Sequence, residues 1–257
     1  MTRSNNGKEG VALVTGASRG IGAASALRLA AQGYSVAVNF ARSKSDADAV
    51  VKQIIANGGT AVAIQADISV EGAGEELVRE TDRRLGPPLV VVNNAGVQRS
   101  RAMIKQSLEE FDQMLSTNIR GTWSVTRAAL PYMYDASWGR VVFISSVLGA
   151  TGGPGDSGYG ASKAALLAMS KSLAFEVSRR NITSNAVLPG TILTDIVSDV
   201  DPDVLEANIA SIASRRGGEP EEVAAVVGFL CSDDASYVSG AEIVVHGGGW
   251  VNLPPTK

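Results

Sequence analysis

The chain has 257 residues, 45% of them hydrophobic, with a formal net charge of −3 at pH 7; that is enough apolar material for one large core, and an acidic balance without a basic stripe argues against nucleic-acid binding. One cysteine, Cys231, and one histidine, His246, exclude an intramolecular disulfide and a structural zinc site. The stretch 1–10 is polar, without the apolar core of a signal peptide, and no later apolar run reaches membrane-spanning length, so a cytoplasmic protein off the membrane is expected.

Short β-rich runs alternate with stretches of helical length. Strands are predicted over 11–14, 35–38, 60–64, 89–92, 140–144, 182–187 and 242–245, and helices over 21–32, 46–57, 74–85, 108–134, 159–180 and 219–230. Several strand runs are apolar without alternation, as in strands buried on both faces of a parallel sheet. The rhythm predicts an α/β fold: a Rossmann-like, doubly wound, mostly parallel seven-stranded sheet with helices on both faces. No repeat or linker divides the chain, so 1–257 is read as a single dinucleotide-binding and catalytic domain. The least regular stretch, 191–218, is read as a segment covering a substrate.

The first strand runs directly into Thr15-Gly16-Ala17-Ser18-Arg19-Gly20-Ile21-Gly22, and a helix follows. Glycines here permit a tight turn and let a pyrophosphate reach the backbone, where the helix N-terminus offers free N–H groups. The second strand ends in Asn39-Phe40-Ala41-Arg42-Ser43, without the acid that would hold a ribose 2′-hydroxyl. Arg42 and Arg19 can instead meet a 2′-phosphate, which points to NADPH.

Farther on, Tyr159-Gly160-Ala161-Ser162-Lys163 opens a predicted helix, which puts Tyr159 and Lys163 on one face. A phenol is a poor proton donor or acceptor near neutrality, and a nearby ammonium lowers its pKa.

Taken in order, Thr15 to Gly22, Asn93-Asn94-Ala95-Gly96, Asn118, Ser145-Ser146 and Tyr159-x-x-x-Lys163 resemble the classical short-chain dehydrogenase/reductase family, over roughly residues 8–250. Within it the chain is most similar to the 3-oxoacyl-[acyl-carrier-protein] reductase group. Val38-Asn39-Phe40-Ala41-Arg42-Ser43, Asn93-Asn94-Ala95-Gly96-Val97-Gln98-Arg99 and Val238-Ser239-Gly240-Ala241-Glu242 carry that likeness.

The resemblance implies a catalytic set of Asn118, Ser146, Tyr159 and Lys163. Ser146 would bond the substrate carbonyl oxygen and Tyr159 would protonate it. Lys163 would hold the nicotinamide ribose and lower the tyrosine pKa, and Asn118 would hold a relay water. Cofactor contacts are implied at Gly16, Ser18, Arg19, Gly20, Ile21 and Gly22, and at Asn39, Ala41, Arg42 and Ser43. Asp67 would bond the adenine amino group, with Ile68 beside it, and Asn94, Ala95 and Gly96 would line the ribose. Pro189, Gly190, Ile192 and Thr194 would hold the carboxamide, and Tyr159 and Lys163 also touch the cofactor.

The implied activity is NADPH-dependent reduction of a 3-oxoacyl thioester, linked to carrier protein or CoA, or of a similar β-keto compound, as in fatty acid biosynthesis. An alcohol, sugar or steroid dehydrogenase and a non-catalytic cofactor-binding regulator stay open as alternatives. Arg179 and Arg180 match part of the basic surface that docks acyl carrier protein, while Asp135 stands where a cation is usual. Asp156-Ser157 replaces a glutamine-containing loop before the tyrosine. A homotetramer is implied, paired through the helices that carry Asn118 and Tyr159.

Overall fold

The structure is a computed structural model and describes residues 10–194 and 202–249. The apolar runs become strands, buried on both faces in the middle of the sheet and partly exposed at its two edges, the third strand and the last. The strands are β1 (Val11–Val14), β2 (Ser35–Phe40), β3 (Ala61–Gln65), β4 (Pro88–Asn93), β5 (Gly139–Ile144), β6 (Ile182–Pro189) and β7 (Glu242–Val245). They form one sheet in the order β3-β2-β1-β4-β5-β6-β7, and every pairing is parallel. The order reverses at β1 and β4, and the crevice there, outside the strands' carboxyl ends, is where such sheets bind ligands.

Helices α1 (Gly20–Ala31), α2 (Lys44–Ala56) and α9 (Pro220–Leu230) cover one face, and α3 (Ala73–Leu85), α5 (Thr122–Ala136) and α7 (Ser157–Val177) the other. Strand residues alternate between two cores. Ala12, Val14, Val90 and Val92 pack with Leu29, Ile54 and Val227, whereas Leu13, Val91, Val141 and Phe143 pack with Leu77, Met133 and Leu166. No described helix is long and apolar enough to cross a membrane.

The predicted helix over 108–134 is not one regular helix. α4 (Leu108–Met114) passes into a π-helical segment, Leu115–Gly121, before α5 begins. Close packing accompanies this change: a Cβ on Gly121 would meet Ile68 Cγ1 at 2.8 Å. π-helical turns place side chains on directions that an unbroken helix does not offer. Two short helices had no counterpart in the sequence reading, α6 (Val147–Thr151) and α8 (Pro202–Ser211), and the predicted helix over 159–180 ends in a 3₁₀ turn, Ser178–Arg180.

At the opposite end of the sheet from the crevice, Arg140 is only 2% exposed. Its guanidinium donates to the backbone oxygens of Gly139 and Asn181 at 2.9 and 3.2 Å and lies 4.5 Å from the centre of the Trp138 ring. The end of the helix after Tyr159 is thereby tied to the start of β5.

Candidate active site

The glycine turn leaves β1 against the loop that leaves β4. Gly16 has φ +61°, and a Cβ there would meet Ala95 Cα at 2.9 Å, so both conformation and space call for glycine. A Cβ on Gly22 would lie 2.9 Å from Ala17 Cα and 2.5 Å from Asn94 Nδ2. Asn94 holds the turn directly, donating from Nδ2 to the oxygens of Thr15 and Gly16 at 3.0 and 2.9 Å. The Thr15 hydroxyl accepts from the N–H groups of Asn94 and Ala95, both at 3.0 Å.

This cradle suits a dinucleotide. The N-terminus of α1 has no side-chain cap and no acid in its first turn, so its positive end faces the turn uncompensated. Ser18 is partly exposed and Arg19 exposed at its rim, and Ile21 packs beneath. Past β2, Ala41 and Arg42 are exposed and Ser43 is half-buried, with no carboxylate among Asn39 to Ser43.

Asn39, expected at the cofactor, lies behind the glycine turn. It is 2% exposed and its amide is already engaged. Nδ2 donates to Ile64 and Ala66 oxygens at 3.2 and 3.1 Å, and Oδ1 accepts from Gly16 N at 3.2 Å. Its own backbone oxygen accepts from Ala17 N at 2.7 Å. Asn39 therefore builds the turn from behind. Asp67 is exposed at the end of β3 and accepts from Ser69 N and Oγ at 3.0 and 2.6 Å, both at Oδ1, so Oδ2 retains its capacity for an amino group. Ile68 beside it is buried.

The segment after β6 closes the far side of the crevice. Gly190 N donates to Val245 O at 2.9 Å, and a Cβ on Gly20 would meet Thr194 Cγ2 at 3.2 Å, so Thr194 stands against the glycine turn. Pro189 ends β6, and Ile192 is buried and bridged to Gly218. That bridge, with Leu193 N on Gly218 O at 2.8 Å and Gly218 N on Thr191 O at 2.9 Å, pins the two ends of 191–218 together.

Ser146, Tyr159, Lys163 and Asn118 gather around the carboxyl ends of β4 and β5. Ser146 caps α6: its Oγ accepts from Leu148 N at 3.2 Å, and its hydroxyl stands near enough to the Tyr159 phenol to favour the phenolate. Lys163 is buried, and its Nζ donates to Ile144 O at 2.7 Å and lies 5.7 Å from the centre of the Tyr159 ring. Ser145 donates from Oγ to the Lys163 backbone oxygen at 2.8 Å, a role the sequence did not reveal. The helices at this point touch through glycine. A Cβ on Gly149 would meet Lys163 Cβ at 3.0 Å, and one on Gly160 would meet Leu148 O at 2.9 Å.

Two features of this group bear on its expected roles. Lys163 does not hold the phenol below its ordinary value in the protein alone: burial dominates and pushes Tyr159 up to about 12, against the pull of the Ser146 hydroxyl and with help from Asp156. The same burial brings Lys163 down to about 8, weakening the cationic form that would stabilise a phenolate. Asn118 lies in the π-helical segment, and its amide is spent on the protein. Oδ1 accepts from Val97 N at 2.8 Å, and Nδ2 donates to Val97 O at 2.9 Å and to Ser162 Oγ at 2.8 Å. Ser162 in turn donates to Tyr159 O at 2.7 Å. Gly96 sits between, where a Cβ would lie 3.2 Å from Asn118 Oδ1 and 3.3 Å from Lys163 Nζ.

A family model described as enoyl-(acyl carrier protein) reductase matches residues 16–249. A 3-oxoacyl-[acyl-carrier-protein] reductase of Staphylococcus aureus (strain Mu50) is 40% identical over 237 residues, 92% of this chain and 96% of that one. The enzyme of the same name from Synechocystis sp. is 41% identical over 239 residues, 93% and 96% of the two chains. Among solved structures, a 3-oxoacyl (acyl-carrier-protein) reductase from Agrobacterium tumefaciens C58 with NADP bound superposes with a TM-score of 0.89 at 33% identity, covering 94% of each chain.

Proposed function

Since the chain belongs to the short-chain dehydrogenase/reductase family, close to its 3-oxoacyl-[acyl-carrier-protein] reductases, we propose that it reduces the ketone of a 3-oxoacyl thioester, or a similar β-keto compound, to the 3-hydroxy product with NADPH. The observation that carries this reading is the gathering of Ser146, Tyr159 and the buried Lys163 at the carboxyl end of β5, with the Lys163 ammonium 5.7 Å from the Tyr159 ring centre. The acid-free end of β2 beside Arg42 supports the choice of cofactor.

NADPH would lie on Gly16, Ser18, Arg19, Gly20, Ile21 and Gly22, with Arg42 and Ser43 at its 2′-phosphate and Asp67 at its adenine. Asn94 to Gly96 and the stretch from Pro189 through Gly190 and Ile192 to Thr194 complete the cradle. When bound, it supplies the hydride.

The protein's own part is proton placement and charge. Leu148 N–H occupies one acceptor site of Ser146 Oγ, which leaves the serine proton to turn outward toward a ketone oxygen. Tyr159, protonated throughout the neutral range, is positioned to donate the proton that the developing alkoxide takes. Lys163 brings positive charge against the phenol. With the Asn118 amide engaged on Val97 and Ser162, a relay water would need its main-chain carbonyl or the second lone pair of Oδ1. The segment 191–218, pinned at its base, would cover the substrate.

Carrier-protein docking takes a more specific form than the sequence suggested. Arg179 and Arg180 are exposed, but they follow α7, twenty residues beyond Tyr159 and so roughly 30 Å along the helix. They stand at the other end of their own sheet, with Arg180 over the Tyr134 ring at 5.7 Å. A second copy with α7 antiparallel across a two-fold axis would bring them toward its cleft, consistent with a homotetramer.

The test is consumption of NADPH by the purified protein with acetoacetyl-CoA. Turnover there is expected; none, together with oxidation of simple secondary alcohols, overturns the reading in favour of an alcohol dehydrogenase.

A further inference from the structure

Asp156 occupies the N-cap position of α7, where an aspartate usually accepts from the first N–H groups of its helix. It does not do so here. Oδ1 is turned across to the loop leaving β4, where it accepts from Ser100 Oγ at 2.7 Å and from Gln98 Nε2 at 3.0 Å. Arg101 N donates to Gly155 O at 2.8 Å and seals the same junction. Asp156 is half-buried and three residues before Tyr159, whose phenol feels its charge.

Both groups that hold this carboxylate are neutral donors. The two cations nearest in sequence on the facing loop are otherwise engaged: Arg101 pairs with Glu110 at 3.0 Å, and Arg99 Nη1 donates back to Gln98 O at 3.1 Å. Gln98 and Ser100 already direct donors at Asp156, so they offer little to an incoming anion. The junction thus sets a negative charge, held directly by neutral donors alone, on the side of the proton donor away from its own helix.

Resting on the reductase reading above, we propose that Asp156 is a specificity-determining residue that excludes ketones carrying a carboxylate one methylene away, so that the site takes the neutral thioester, ester or amide of a 3-oxo acid and rejects the free acid. A 3-oxo acid and its thioester share the ketone and differ in the charge two carbons away. Bound with its ketone at Tyr159 and Ser146, the free acid brings its carboxylate into the field of Asp156. For an illustrative separation of ~7 Å and an effective dielectric of ~20 to 40, two like charges repel by an amount equivalent to roughly seven- to sixtyfold in kcat/KM. Exclusion by repulsion is a common source of specificity where attractive contacts are shared.

Asp156→Asn provides a clean test because both accepted bonds go to Oδ1, which an asparagine amide can keep while the charge is removed. The readout is the ratio of kcat/KM for acetoacetamide to that for acetoacetate, near-isosteric ketones that differ in charge. Wild type should favour the amide strongly, and Asp156→Asn should lower the ratio about tenfold or more. Raising KCl from low to high concentration should lower the ratio in wild type and leave it flat in the variant, a measurement that stands even if the variant folds poorly. A ratio that neither the substitution nor salt moves overturns the inference while leaving the reductase reading intact. No turnover of acetoacetamide, acetoacetyl-CoA or methyl acetoacetate by wild type overturns both.

Discussion

The ammonium nitrogen of Lys163 sits 2.7 Å from the backbone oxygen of Ile144, the last residue of β5, in a position with almost no solvent contact. A carbonyl is a weak partner for a buried cation, and burial brings the group from 10.5 to about 8. Its folded pKa is depressed, so the stability linked to it is present above the unfolded value and lost as pH falls through 8. At neutral pH the cation costs the fold roughly 3 kcal/mol. Lys163→Met in the cofactor-free protein should therefore raise Tm by a few degrees at pH 7, the gain being reduced by the lost hydrogen bond. The gain should shrink as pH rises from 8 toward 10.5. Thermal unfolding across that range checks the sign; a variant less stable than wild type at pH 7 would show that the hydrogen bond outweighs desolvation.

Tyr159 has the opposite linkage. Its folded value of about 12 exceeds the ordinary 10, so its contribution is complete below pH 10 and is lost as pH rises through 12. As a proton donor it is loaded at every physiological pH. Tyr159→Phe should reduce the rate of ketone reduction by about a hundred- to ten-thousandfold, the typical range for loss of a positioned acid. Binding of NADPH, followed by its fluorescence, should change by less than about threefold. Parallel loss of both would place the phenol in cofactor binding instead of chemistry.

For Arg42, exposed beyond β2, substitution by alanine should weaken NADPH about ten- to a hundredfold, the range of one or two charge-assisted hydrogen bonds, and leave NADH within about twofold. Paired titrations of the two dinucleotides decide this, and equal losses would move the phosphate contact elsewhere.

Gly22 is the most crowded point of the turn, where an added Cβ would press on Ala17 Cα and Asn94 Nδ2. Much of that contact is backbone and cannot rotate away. Gly22→Ala should cost about 1–3 kcal/mol of stability and abolish measurable dinucleotide binding. Denaturant unfolding and NADPH titration on the same preparation check both halves.

The central strands were legible in the sequence because burial on both faces leaves an unbroken apolar run, as in 11–14. Tyr159 and Lys163 were legible because a helix fixes what four residues of spacing means. Asn118 shows the limit of that logic. Its amide grips the backbone of Val97, twenty-one residues earlier, from a turn of π-helix that accommodates Gly121 against Ile68. Neither contact has a local signature, so 108–134 read as one regular helix. The role of Asn39 in bracing the turn was hidden for a related reason: at the mouth of a strand, a side chain facing ligand and one facing the adjacent turn share the same sequence. The phenol's acidity was missed because it depends on how far burial suppresses the cation meant to tune it, and spacing carries no measure of depth.

Asn39 spans β3, its own strand and the glycine turn with one buried amide. A loop fastened on three sides has already surrendered its conformational freedom when the chain folds. An arriving dinucleotide then has little to organise, and its binding free energy goes into contact and not into ordering the receptor. Association with this part of the site should accordingly be governed by diffusion and charge, which makes the turn a ready-formed mould rather than a loop shaped by its ligand.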